Sequence, residues 1–116
     1  MSAISLRHNP ERSRFEVLDG EDVIGQAAYL DRDAEEQRIF YHTVIDEDFA
    51  GRGLAGRLAA KALDETVSSG LGIVPVCPFI KKYLEKHPQY SASVTKPTPA
   101  ILEFLSVSLR QARQVR

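Results

Sequence analysis

Two glycines one residue apart, Gly51 and Gly53, stand where a strand-like run gives way to an amphipathic one, in Phe49-Ala50-Gly51-Arg52-Gly53-Leu54-Ala55-Gly56. Glycine adopts positive φ freely and lets the backbone approach a ligand with no Cβ in the way. A helix opened by such a turn presents unpaired N–H groups and the positive end of its dipole, which together make a seat for phosphate. The amides of Gly51, Arg52, Gly53, Leu54 and Ala55 are the candidate donors. Arg52 and Arg57 add cationic contacts, although an arginine near a helix start is also commonly just solvated.

About twenty residues further on, Ile73-Val74-Pro75-Val76-Cys77-Pro78-Phe79 ends a short apolar run on the chain's one cysteine. Cys77, immediately before Pro78, stands at a helix start, where the dipole favours the thiolate and makes a nucleophile. The competing reading is a buried cysteine serving as a small apolar side chain. His42, Asp46, Glu47 and Asp48 are the titratable groups near the glycine turn. Each also has a plainer reading, as a solvated acidic turn or as a histidine in the core wall.

Bulk properties bound these ideas. A chain of 116 residues fits one domain with a modest core. With 15 basic and 16 acidic residues the net charge is −1, so no general attraction for nucleic acid or anionic membrane is expected and an anion must be held locally. One cysteine excludes an intrachain disulfide and a cysteine-built zinc site, no metal site is indicated, and a reducing, cytoplasmic setting is expected. No apolar run approaches the roughly 18 to 20 residues that span a bilayer, and the first residues lack a signal-peptide core.

The elements that must position these groups follow from periodicity. Strands are predicted at residues 4–7, 14–18, 23–30 and 38–45, with Asp19-Gly20 as a hairpin turn and residues 31–36 as a loop. Alternation in the fourth strand puts Ile39, Tyr41, Thr43 and Ile45 on one face and Phe40, His42 and Val44 on the other. Ala55, Leu58, Ala59, Ala62, Leu63 and Val67 form the buried stripe of a helix over residues 54–68, and Ser69-Gly70 stops it. A short strand over 72–76 and a helix started by Pro78, with Phe79, Ile80, Tyr83 and Leu84 apolar, come next. Residues 91–97 read as a linker. Thr98-Pro99 caps a last helix with Ile101, Leu102, Leu105 and Leu109 on one side and Arg110, Arg113 and Arg116 near its end. That leucine face suits either the chain's own sheet or a homodimer. The expected fold is α+β, a mixed, mostly antiparallel sheet with one parallel crossover and helices packed on it. The division is a domain over 1–95 and a linker with helix over 96–116.

These motifs resemble those of the GNAT superfamily of acetyl-CoA-dependent N-acetyltransferases, in particular its short subfamily without the N-terminal helices of larger members. The family's Gln/Arg-x-x-Gly-x-Gly/Ala loop corresponds to Ala50-Gly51-Arg52-Gly53-Leu54-Ala55, with both glycines kept and the first position changed. The short subfamily adds His-Thr, seen as His42-Thr43, then Val-Pro-x-Cys-Pro-Phe, seen as Val74 to Phe79, and His-Pro-x-Tyr, seen as His87-Pro88-Gln89-Tyr90.

The resemblance implies that coenzyme A lies between the central strand and the strand after the first helix, its pyrophosphate on the glycine loop and Pro78 and Phe79 beside it. Micromolar binding needs about 8 kcal/mol; a helix dipole contributes roughly 0.3 to 2, so several charge-assisted amide bonds of about 1.5 to 3 must share the work. It implies transfer of acetyl to a primary amine of an unidentified acceptor, a small molecule or a lysine side chain. Neutralising such an amine, pKa near 10.4, costs about 4 kcal/mol at neutral pH, which calls for a base or a desolvating site. His42, Glu47 and Asp46 are the candidate bases, Val44 and Ile45 amides the candidate polarisers of the thioester oxygen, Tyr83 the candidate donor to the departing thiolate, and Cys77 a transient acceptor or a wall. The other classes are a coenzyme A or acyl-CoA-binding module that does not turn over, and an interaction scaffold whose site has decayed.

Overall fold

The computed structural model describes residues 3–114. Strands β1 (Ile4–Asn9), β2 (Arg14–Asp19), β3 (Asp22–Arg32) and β4 (Gln37–Ile45) precede helix α1 (Leu54–Ser68), strand β5 (Gly72–Pro75) and helices α2 (Pro78–Lys86) and α3 (Pro99–Gln114). All five strands form one sheet in sequence order, antiparallel through β4 and parallel between β4 and β5. The α+β architecture with its single parallel crossover is the one the periodicity predicts.

The alternation expected for β4 fails partway along it. Ala28 pairs with His42 and Tyr29 with Phe40, so Tyr41 is an extra residue, a bulge. A bulge reverses the side-chain alternation beyond it. Thr43 and Ile45 therefore join Phe40 on the face that α1 covers, while His42 and Val44 emerge exposed on the opposite face. The expected grouping of Thr43 and Ile45 with Ile39 and Tyr41 is corrected accordingly.

On the α1 face, Phe15, Val17, Ile24, Ala27, Tyr29 and Phe40 pack under Leu54, Leu58, Ala59, Ala62 and Leu63. The predicted stripe differs at both ends: Leu54 is buried in the place expected of Ala55, which is half-buried, while Val67 is exposed and Thr66 is the buried residue, its hydroxyl donating to the Ala62 carbonyl at 2.7 Å. That bond satisfies the polar atom and explains why a threonine sits inside.

On the other face, Ile101 and Leu105 of α3 lie on Ile39 and Val74. Burying each such side chain contributes about 1.5 to 3 kcal/mol. The face of the last helix is thus spent on the chain's own sheet. Leu102, expected on that face, is 45% exposed, and Phe104 packs in its stead. Thr98 caps α3 as its position suggests, accepting from the Ile101 amide at 3.2 Å. Arg116 lies outside the described residues. Nor is the segment before α3 a slack linker, since Val94 bridges to Ile73 and the Thr95 amide donates to the Ile73 carbonyl at 2.8 Å.

Candidate functional site

The parallel pairing of β4 with β5 is short, and it ends at Phe40 opposite Pro75. There the Phe40 carbonyl accepts two amides, from Val76 at 3.0 Å and Cys77 at 2.9 Å. Beyond this point β4 continues to Ile45 while the chain after β5 turns away into α2. The strands form a fork. The Asp46 amide donates to the Ile24 carbonyl at 2.8 Å, which fixes the phase of the β3–β4 ladder. By the alternation of an antiparallel ladder, the Val44 amide then faces β3, and the amides of Thr43 and Ile45 face the open fork. Of the two expected polarising amides, Ile45 keeps that capacity and Val44 is committed to the ladder; Thr43 takes its place.

At the end of β4, a 3-10 turn over Glu47–Phe49 leads to the glycines. Gly51 (φ 81) and Gly53 (φ 73) are both left-handed, and a Cβ at either would meet only open space. Gly53 is the N-cap of α1 and offers no side chain to the helix; the first bond closing the helix runs from the Arg57 amide to the Gly53 carbonyl at 3.2 Å. Among the described residues, the amides of Gly51 through Gly56 have no protein acceptor. Six unpartnered donors thus follow one another through a turn whose conformation only glycine adopts cheaply, and no acidic side chain occupies the first turn of α1. Arg52 is held over the Phe49 ring, 5.0 Å from its centroid, while Arg57 is exposed. The loop fits a diphosphate.

Cys77 is the N-cap of α2, and its side chain is buried with the α1-face core. Its thiol lies 3.4 Å from Thr43 Oγ1, a hydrogen bond across the fork. Pro78 occupies the first position of α2 as expected, and Phe79 packs against the same core. Tyr83, half-buried one turn further on, stacks on His87 with ring centroids 3.8 Å apart and leans on Phe79 at 6.4 Å. Burial, and secondarily the Asp64 carboxylate, raises its phenol pKa, so its proton is retained at neutral pH. Tyr90 donates to Asp64 Oδ1 at 2.5 Å, tying the end of the His-Pro-x-Tyr run to α1.

The fold therefore gathers Cys77, Tyr83, Ile45 and Phe79 on the α1 side of the fork. His42 stands exposed on the other face of the sheet, and Glu47 is exposed in the turn before the glycines. Neither reaches Cys77 through a hydrogen bond. Thr43, the residue that does, was legible only as half of the His-Thr pair. Among the described residues no group of three His, Cys, Asp or Glu side chains is placed to hold a metal ion, and no helix is long and apolar enough to cross a membrane.

A forked β4–β5 pair with a glycine loop opening the crossover helix defines an acetyltransferase-type domain. The chain belongs to the GCN5-related N-acetyltransferase family, whose model matches residues 14–94. It is similar to Protein NATD1 of Xenopus tropicalis, 30% identical over 90 residues that cover 75% of this chain and 80% of that protein. The mouse protein of the same name is 33% identical over 88 residues, covering 73% and 77%. In three dimensions the fold matches the NMR solution structure of a GCN5-like protein from Staphylococcus aureus with a TM-score of 0.65, at 21% identity, over 85% of this chain and 95% of that one. Helix α3 lies beyond the family match.

Proposed function

We propose that this protein binds acetyl-CoA at the Gly51–Gly56 amides and transfers the acetyl group to a primary amine, carried by a small molecule or a lysine side chain. The observation that carries this reading is the set of unpartnered amides on a positive-φ glycine turn beside a fork whose β4 edge still has donors to give. Bound acetyl-CoA supplies an activated acyl carbon: the amine nitrogen bonds to it, the carbon–sulfur bond breaks, and the proton given up by the amine balances the one taken by the thiolate.

The chain's own residues divide the remaining work. Gly51, Gly53, Leu54 and Ala55 amides, with the Arg52 and Arg57 guanidiniums, hold the diphosphate. Amides of Ile45 and Thr43 face the place where an oxyanion develops. Tyr83 keeps its proton and can donate it to a leaving thiolate. Cys77, buried and bonded to Thr43, walls the fork. Neither His42 nor Glu47 stands with them, and the imidazole that does, His87, is stacked on Tyr83 with its Nδ1 2.7 Å from the Tyr83 carbonyl oxygen; proton loss from the amine is assigned to desolvation at an apolar fork. A reducing setting suits the unpaired Cys77, and the cytoplasm is the proposed site of action.

One observation favours a second reading. Because His42 and Glu47 stand apart from Cys77 and Tyr83, a module that binds acyl-CoA without turning it over fits the same loop. Melting curves with coenzyme A come first: at a hundred times its dissociation constant a ligand stabilises by about 2.7 kcal/mol. No shift sinks both readings and leaves a scaffold. A shift without thiol release from acetyl-CoA across a panel of amines retires the transferase and keeps the binding module.

A further inference from the structure

The strand order β1-β2-β3-β4-β5 leaves the sheet two edges, and only one of them is closed. On the outer side of β5, Val94 bridges to Ile73, the Thr95 amide donates to the Ile73 carbonyl, and Pro75 has no N–H to offer a further strand. Along β1, among the described residues, no backbone group pairs with the side turned away from β2. Edges are usually blunted by a bulge, a proline or a free charge. The ladder of β1 with β2 has no bulge, the strand Ile4–Asn9 contains neither proline nor lysine, and its one arginine, Arg7, is drawn onto Glu16 at 2.6 Å on the face away from α1.

The phase of the ladder says which groups are open. The Gly20 amide donates to the Ala3 carbonyl at 3.0 Å, and Ala3 stands opposite Gly20 in the register that pairs Ile4 with Asp19. Residues of an antiparallel ladder alternate between pairs that exchange hydrogen bonds and pairs that do not. Ser5, Arg7 and Asn9 therefore bond to β2, while the N–H and C=O groups of Ile4, Leu6 and His8 point outward. The side chains of these three lie on the α1 face, where Ile4 and Leu6 are only partly buried against the core and His8 stacks on Phe15.

The outward residues are spaced evenly about Leu6. Under a two-fold axis through Leu6 and perpendicular to the sheet, a second β1 runs antiparallel to the first, with Leu6 opposite Leu6 and Ile4 opposite His8, and every outward residue exchanges both of its bonds. An axis at Ser5 leaves His8 unpaired. An axis at Arg7 leaves Ile4 unpaired and sets two like charges against each other. In the Leu6 register the exposed Ser5 faces the partner's Arg7, and no like charges meet. We propose that the chain associates with a second copy of itself through β1, in this register, to form one sheet across both chains. A second copy fits better than an unrelated strand because its own sequence satisfies three demands together: the open backbone groups, the half-covered Leu6 at their centre and the charge at Arg7. The leucine pair carries the α1-face core across the seam. Strands β2 and β3 stand between β1 and β4, so the fork and glycine loop of each chain stay open, and the inference is independent of the transferase reading. Little beyond a strand edge is buried, which places the contact among small, concentration-dependent interfaces.

The test uses the full chain. Sedimentation velocity from low micromolar to millimolar protein should show a monomer–dimer equilibrium. Amide hydrogen exchange on nitrogen-15-labelled protein should show Ile4, Leu6 and His8 gaining protection several-fold as concentration rises, while Ser5, Arg7 and Asn9 stay protected throughout. Leu6→Pro removes the outward N–H at the centre and breaks no bond to β2, so it should abolish the dimer, with a melting curve to check the fold. Ser5 is exposed, so its variants keep the fold in any case: Ser5→Arg should weaken association about threefold or more by opposing Arg7, and Ser5→Glu should tighten it. A chain that stays monomeric at millimolar concentration overturns the inference, even if an added peptide strand protects the same amides. A dimer whose protection falls elsewhere, as at the exposed Leu102 of α3, or one that the two Ser5 variants affect alike, overturns it equally.

Discussion

Cys77 Sγ lies 3.4 Å from Thr43 Oγ1, joining the N-cap of α2 to β4 across the fork. The contact exists because the Tyr41 bulge turns Thr43 toward the α1 face. It makes the cysteine part of the fork's wall, and it costs little, since a thiol is a weak donor and a hydroxyl a tolerant acceptor.

Cys77→Ala should accordingly lower stability by about 1 kcal/mol, the loss of one small buried group, and leave acetyl transfer within about threefold of the parent. Intact-mass spectrometry after incubation with acetyl-CoA should show no adduct on residue 77. An acetylated Cys77 that disappears when amine is added would establish the covalent route instead.

The glycine turn separates binding from stability. Gly53→Ala meets no neighbour, but its φ of 73 costs a side chain about 1 to 2 kcal/mol, so both melting temperature and coenzyme A affinity should fall. Gly56 has ordinary helical φ and open space around it. Gly56→Ala should therefore stabilise the free protein by up to about 1 kcal/mol while a methyl beside the donors weakens coenzyme A binding. Calorimetry for affinity and thermal melts for stability read the opposite signs; if Gly56→Ala leaves affinity unchanged, the diphosphate does not sit over the third residue of α1.

Much of this was legible in the chain. The glycine pair, the Cys77-Pro78 helix start and the Thr98 cap are local devices, decided by φ, by a missing N–H and by one side-chain oxygen, and such devices are written in neighbouring residues. The bulge at Tyr41 is different. Nothing in an unbroken aromatic and β-branched run marks which residue the neighbouring strand will skip, so Thr43 and His42 exchange faces without any local sign. Leu102 and Phe104 illustrate the same limit on α3, where the helical stripe is broad enough to admit two rotations and only the shape of the β4–β5 surface chooses between them.

Stability should show two pH-dependent steps. His8 stacks on Phe15 with ring centroids 4.1 Å apart and bonds Tyr29 at 2.6 Å; burial first, then Arg38, lowers its pKa below the usual 6.5, against the opposing pull of Glu65 and Asp31. The unfolded chain then takes up the proton more readily, so stability falls as pH drops through the range below 6.5. Burial raises the Glu16 pKa, but hydrogen bonds from Arg14, Arg7 and Asn9 outweigh it and hold it below 4.5, so its contribution is present above that value and lost beneath it. Urea titrations across pH should show both steps, and His8→Gln should erase the upper one alone. A slope near pH 6 that survives the substitution would assign it elsewhere.

Gly25 and Ile45 are coupled across β3 and β4. A Cβ on Gly25 would stand 2.4 Å from Ile45 Cδ1 and 3.1 Å from the Val44 carbonyl oxygen, so a side chain there displaces the end of Ile45 on the strand that bears the fork-facing amide. Gly25→Ala should cost about 1 to 3 kcal/mol through overpacking, and because Ile45 must shift, the orientation of its amide at the fork shifts with it. Ile45→Val alone should cost about 0.5 to 1.5 kcal/mol but removes the clashing methyl. Combined, the two should be less damaging than their sum, with a coupling of about 0.5 kcal/mol or more, and the double variant should recover coenzyme A affinity lost in Gly25→Ala. Strict additivity in denaturant titrations would mean that the carbonyl of Val44, and not the Ile45 side chain, enforces glycine here, and that the amide's position does not depend on this contact.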